Sequence, residues 1–293
     1  LPTLTGFAAV RDQAARTESA ASDRATQLAE VATDCASCSA ALRAVAAASD
    51  ERLEALGGLW DPWGGTPPEG ASAPAAVSEA PTDVSAFVAW LARTATRDLE
   101  IAADTNRTSA DEARTLAAAA LGRYASAVTI AQAYGIDLDA GLDQALLIND
   151  RVNAASRQGV QTWSIDLFDA PAISPSFAPS GKDLASSQEL SSAVATWDCT
   201  ASTLPQAQVS AGTLTDAYAV SGELLTRADT ALRAGAADTR TPRCTLGFLD
   251  APSLASNLLA ADSAMLASNS SDVRSAGASA ALADIQQWAP RTS

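Results

Sequence analysis

Apolar residues recur at three- and four-residue steps along most of the chain, the spacing of one face of an α-helix. Between residues 83 and 104 the stripe reads Val84, Phe87, Val88, Leu91, Ala95, Leu99 and Ala102. Leu116, Ala120, Tyr124, Ala127, Ile130, Ala131 and Tyr134 form a second face, entered through the capping box Ser109-Ala-Asp-Glu112 and ended by Gly135. The same reading predicts helices over 5–33, 39–56 with a Gly57-Gly58 stop, and 138–157. Beyond these, a second capping box at Ser186-Ser-Gln-Glu189 opens a helix running to about Thr203, and another spans Thr213 to Ala234 before Gly235. Asp250-Ala-Pro252 starts a helix through Leu254, Leu258, Ala261, Met265 and Leu266. Ser268-Asn-Ser-Ser271 breaks it before a last helix, about Asp272 to Trp288.

The punctuation repeats. Each half carries a helix, a turn, a helix ending in Gly, a Pro/Gly loop, a helix, a polar break and a fourth helix. The loops before the third helices contain Ala80-Pro81-Thr82-Asp83 and Asp250-Ala251-Pro252-Ser253. This order predicts an all-α chain of two tandem four-helix bundles joined by an extra helix and an irregular connector. The boundaries read as 1–157 for the first bundle, 158–183 for a connector holding Trp163, Phe168 and the breaks Pro171, Pro175, Pro179 and Gly181, and 184–293 for the second bundle.

One stretch of the second bundle resembles a known family. Ala217-Tyr-Ala-Val-Ser-Gly222, Arg227-Ala-Asp-Thr-Ala-Leu232 and Ala280-Ala-Leu-Ala-Asp-Ile-Gln-Gln-Trp288 are similar to an uncharacterised ferritin-like domain family of actinobacterial exported proteins, clearest over residues 189–290. The resemblance implies a four-helix ferritin-like bundle and an envelope location, often through a lipoprotein signal. It carries no catalytic residues over. The lipid-attachment cysteine of such a signal is absent from this chain.

Composition sharpens the picture. Hydrophobic residues are 47% of the chain, but 70 of the 293 residues are alanine, which forms helix well and buries little area. The packing therefore has to be anchored by Phe7, Trp60, Trp63, Phe87, Trp90, Tyr124, Tyr134, Trp197, Tyr218 and Trp288. Net charge is -15 and Lys182 is the only lysine, which disfavours nucleic acid and anionic membranes as partners. No apolar run is long enough to span a bilayer. Opening on Leu1, the chain reads as a mature product of an exported precursor, with a lipid anchor conceivable through a removed signal. Four cysteines agree with an extracytoplasmic place: Cys35 with Cys38, then Cys199 and Cys244, read as disulfides, although four cysteines allow three connectivities.

Candidate chemistry is sparse. With no histidine in the chain, a Ser-His-Asp triad, a Cys-His pair and the Glu-x-x-His halves of a ferritin-like di-iron site cannot be built. Carboxylates alone suffice for Mg, Ca or Mn. Glu18, Asp23, Glu30, Glu51, Glu54, Asp98, Glu100 and Asp284 are the candidate acids, yet neither half supplies one inward acid from each of four helices. Glu51 and Glu54 read as surface residues beside Arg52. Cys35-Ala-Ser-Cys38 has redox spacing, but its flanks are helical, which favours a static bridge worth about 2 kcal/mol, against about 4 kcal/mol for a Cys199–Cys244 bridge. Trp60 and Trp63, in a loop of three prolines and three glycines, either pin that loop or offer an aromatic binding surface. The expectation is a non-catalytic binding module of the cell envelope, without metal or cofactor, engaging an envelope protein or a small ligand. The alternative is a metal-handling or thiol-redox protein using carboxylates or Cys35/Cys38.

Overall fold

The computed structural model describes residues 4–66, 69–70, 76–138, 177–211, 214–244 and 251–288. Among them are eight α-helices and no strand. They are α1 Gly6–Val31, α2 Ala36–Ala55, α3 Val84–Ala103, α4 Ala110–Tyr134, α5 Gln188–Ala211, α6 Leu214–Arg233, α7 Ala251–Met265 and α8 Ser271–Trp288. The chain is all-α, with four of the described helices before residue 139 and four after residue 176. The helix expected over 138–157 and residues 158–176 of the connector lie outside the described residues, apart from Leu138.

Helix ends follow local chemistry. Ser109 and Glu112 form the reciprocal capping box: the Ser109 N–H donates to Glu112 Oε2 at 2.8 Å and the Glu112 N–H to Ser109 Oγ at 3.4 Å. α4 and α6 stop at glycines with positive φ, Gly135 at 65° and Gly235 at 110°. The N–H of the residue after each glycine, on Ile136 and Ala236, returns to Ala131 O at 2.8 Å and Ala231 O at 3.0 Å. α2 ends in the same way, with Gly58 N–H on Leu53 O at 2.9 Å.

Three expectations shift. The N-cap of α5 is Ser187 rather than Ser186: Leu190 N–H donates to Ser187 Oγ at 3.1 Å. The Ser186 hydroxyl is already engaged on Asp183 O, at 3.1 Å, inside the 3-10 turn Leu184–Ser186. α5 also runs through Pro205 to Ala211 instead of ending near Thr203. Leu204, fully buried with Ala217 and Leu254, holds the turn that the proline weakens. α2 starts at Ala36, earlier than residue 39, because Cys35 serves as its N-cap.

The chain divides into two compact units. The first holds α1, α2, α3 as far as Asp98 and α4 from Ala118; the second holds Leu99–Ala117 and α5 to α8. The division thus runs through α3 and α4. Within the second unit, Arg274 of α8 explains why residues 99–117 belong there. Its buried Nη1 donates to Ala102 O, Thr108 O and Thr108 Oγ1, each at 3.1 Å, and so satisfies carbonyls left open at the α3 terminus.

Small residues line the interior of the first unit (Ala14, Ala15, Ala21, Ala25, Ala92, Ala95, Ala127), with Leu42, Phe87, Leu91, Tyr124 and Ile130 as fully buried anchors. In the second, Trp197 is completely buried among Leu190, Val194, Leu224, Leu258 and Val273, and Phe177 meets its ring edge-on at 5.2 Å. Burying a ring of this size is worth about 5 kcal/mol. Tyr218 departs from the expected anchoring role: it is 63% exposed, because its position on α6 faces away from buried Ala217, Ser221 and Leu224.

Candidate functional site

Each unit carries a buried ionic network between its helices. In the first, Glu18 of α1, Arg52 of α2, Asp98 of α3 and Arg123 of α4 meet in the core, one residue from each helix. Arg123 is fully buried. Its Nε donates to Glu18 Oε1 at 2.8 Å and its Nη1 to Asp98 Oδ2 at 2.7 Å. Arg52 Nε approaches the other Glu18 oxygen, Oε2, at 3.0 Å, and its Nη2 donates to Ser49 Oγ at 3.0 Å. Arg97 Nε reaches Asp98 Oδ1 at 2.8 Å. Burial opposes the Arg123 charge, but Glu18 and Asp98 together outweigh it and hold the guanidinium above its ordinary value. For Arg52, burial wins over the attraction of Glu18 and the value falls.

Gly122 makes the approach of Arg52 possible. A Cβ there would stand 2.9 Å from Arg52 Cδ, closer than packed carbon atoms tolerate.

The second unit repeats the plan with different members: Trp197 of α5, Arg227 of α6, Asp262 of α7 and Asp284 of α8. Arg227 Nη2 donates to Asp284 Oδ1 at 2.7 Å, and its guanidinium lies 5.4 Å from the centroid of Trp197. The Trp197 indole N–H donates to Asp262 Oδ1 at 2.9 Å. Asp262 is fully buried and sits beside Asp284. Burial, then the Asp284 charge and a hydrogen bond to it, push the Asp262 carboxyl well above the usual carboxylate range, against the pull of Arg227 and Trp197. Asp262 Oδ2 and Asp284 Oδ2 have no other hydrogen-bond partner, so one proton between them satisfies both. With Asp262 protonated, the single positive charge of Arg227 balances a single negative charge in the core.

The two sets correspond by helix. Arg52 and Arg227 stand on the second helix of each half, and Asp98 and Asp262 on the third. Arg123 and Asp284 each lie thirteen residues past the first residue of the fourth, at Ala110 and Ser271 respectively. A guanidinium therefore sits among the inward carboxylates of each unit.

The sequence-predicted acids divide sharply. Glu18, Asp98 and Asp284 turn inward to arginine, whereas Asp23, Glu30, Glu51 and Glu54 are exposed. Among the described residues no three His, Cys, Asp or Glu side chains converge. Glu51 and Glu54 lie at the surface as expected, while Arg52 between them points inward to Glu18. Arg123, Arg227 and Asp262 were not singled out by the sequence reading. A signal for them exists: Arg123 is the only charge between Leu116 and Gln132, and Asp262 the only one between Ala251 and Ala267.

The cysteines are joined as Cys35–Cys38 and Cys199–Cys244. Cys199–Cys244 ties α5 to the loop after α6, closing 45 residues. Trp60 and Trp63 are both half-buried. Their loop is held to α1 through the backbone, the Trp60 N–H donating to Asp12 Oδ1 at 2.8 Å, while Asp12 Oδ2 accepts from Arg16 Nε at 2.7 Å. The Trp63 N–H donates to Asp61 Oδ1 at 2.8 Å. No described helix is long and apolar enough to cross a membrane. No protein-family model, curated protein or solved structure matches the chain.

Proposed function

We propose that this chain is an exported, envelope-associated scaffold of two ferritin-like bundles whose interiors are structural, and that it acts by binding an envelope protein or a small ligand at its surface. The observation that carries the reading is Arg123 spanning Glu18 and Asp98. A cation bound to the same two carboxylates would meet a full positive charge within a few ångströms, and in a dry core that repulsion is large. Arg227 places the same obstacle beside Asp262 and Asp284. Two disulfides support an oxidising compartment outside the cytoplasm. The resemblance over residues 189–290 supports the ferritin-like family and an envelope location.

Elemental analysis of protein purified from cells grown with added iron, manganese and zinc tests the metal side. Well under one metal per chain is expected. A stoichiometric metal, lost on substituting Glu18→Gln or Asp284→Asn, refutes the reading. Fractionation of cells making the full precursor, with thiol alkylation, tests the compartment. Extracytoplasmic protein with no alkylated cysteine is expected; cytosolic protein with free thiols refutes export.

A further inference from the structure

The Cys35–Cys38 bridge is poorly placed to be a staple. It links neighbours within one turn, and the hairpin it sits in is already fastened by Glu18 with Arg52 and by the Ser39 hydroxyl on Ala29 O at 3.1 Å. Its two sulfurs also differ in access and in surroundings. Cys35 is half-exposed and is the N-cap of α2, so its Sγ accepts the Cys38 N–H at 3.2 Å. The Ser37 hydroxyl lies 3.4 Å from the same sulfur. Cys38 is 3% exposed, and its Sγ lies 3.4 Å from the Ala133 carbonyl oxygen. Donors thus surround one sulfur and an acceptor faces the other. The first arrangement stabilises a thiolate, and the second stabilises a protonated thiol. The neighbouring acid, Asp34, is exposed and screened by solvent.

From this asymmetry we infer that Cys35–Cys38 is a reactive disulfide that oxidises accessible peptide dithiols, an activity beyond the scaffold role and independent of what the bundles bind. A substrate thiolate attacks the accessible Cys35 Sγ. The Cys35–Cys38 bond breaks, a substrate–Cys35 bond forms, and Cys38 leaves with the electron pair and takes a proton, its S–H directed at Ala133 O. The second substrate thiolate then attacks the substrate sulfur of the mixed disulfide. A substrate disulfide forms and Cys35 leaves as a thiolate held by the Cys38 N–H and the Ser37 hydroxyl. The substrate loses two electrons and two protons; the pair gains both electrons and one proton, and the other proton goes to water. A leaving thiolate stabilised in this way favours release of the oxidised substrate.

The test uses the intact chain and a short synthetic peptide with two cysteines. Wild-type protein oxidises the reduced peptide one-for-one and gains thiols at Cys35 and Cys38 by mass mapping. The Cys35→Ala/Cys38→Ala variant, with an unchanged helical spectrum, oxidises it at least tenfold more slowly. Offered the oxidised peptide, Cys38→Ser traps it as an adduct on Cys35, and Cys35→Ser, which keeps only the buried thiol, traps none. Equal oxidation by wild type and the double variant overturns the proposal. So does an adduct that maps to Cys199 or Cys244, or capture by Cys35→Ser equal to that by Cys38→Ser. A metal found in the bundles would leave all these outcomes unchanged, so failure of the scaffold reading is separable.

Discussion

Replacing Asp262 by asparagine should make the protein more robust as pH rises, and the effect can be worked out from the core of the second unit. Asp262 is fully buried beside Asp284, and burial first, then the Asp284 charge and a hydrogen bond to it, raises its carboxyl well above the ordinary value of 3.8. In the unfolded chain the same group releases its proton near that ordinary value. Between the two values the folded state binds one more proton than the unfolded state, and stability therefore falls as pH increases. The slope for one proton is about 1.4 kcal/mol per pH unit, starting near pH 4 and continuing until the raised folded value is reached. Asparagine keeps the geometry: its oxygen can accept from Trp197 Nε1 and its amide can donate to Asp284. It does not titrate, so the variant lacks this loss. Urea unfolding of both proteins at pH 5, 6 and 7 should show the variant gaining on wild type by about 1.4 kcal/mol per unit while the window lasts. A difference that stays constant across those three pH values would mean that Asp262 is ionised in the core, and the shared-proton account would be wrong.

Arg123→Met should cost about 3–5 kcal/mol in urea unfolding, because Glu18 Oε1 and Asp98 Oδ2 lose their charged donor in the core and only Arg52 and Arg97 remain on the other two oxygens. Gly277→Ala should destabilise by about 1–3 kcal/mol in the same assay, since the added Cβ would lie 2.7 Å from Asp262 O and 2.6 Å from Met265 Cβ. Ser109→Ala removes the capping hydroxyl of α4 and should lower stability by about 1 kcal/mol, with a matching fall in the midpoint and no change in denaturant slope. Removing the Cys199–Cys244 bridge by double substitution to alanine should cost about 4 kcal/mol, while the Cys35–Cys38 bridge should cost about half as much.

Local signals proved readable where a single residue decides the conformation. Gly135 and Gly235 end helices because the chain turns there through positive φ, which a glycine adopts at little cost. The Ser109 box worked because both partners lie within one turn. The Ser186 box failed for the same kind of local reason, a competing carbonyl at Asp183 that sequence spacing does not display. α5 outruns its expected end near Thr203 because a proline such as Pro205 breaks a helix only when nothing else holds the turn, and here Leu204 is buried in the core. The interior networks were legible only in halves. Glu18, Asp98 and Asp284 stood out as acids on apolar helices, but the arginines that reach them from other helices lie 25 to 105 positions away. Whether an arginine such as Arg52 points to water or to Glu18 depends on the rotation of two helices about each other. Tyr218 was read as an anchor for its size, and size does not say which side of α6 it occupies.

An alanine-lined helix face looks nearly the same after a shift of one turn, about 5.4 Å along its axis. Hydrophobic contact alone would let such helices settle in several neighbouring alignments at similar cost. The four-membered charge sets remove that freedom. A one-turn slip of α4 would carry Arg123 away from Glu18 and Asp98 at once, and a slip of α8 would carry Asp284 away from Arg227. Each wrong alignment leaves charge stranded in the core at a cost of several kcal/mol. The ionic centres thus act as index pins: they add little net cohesion, but they decide which of many alanine-on-alanine arrangements is the native one.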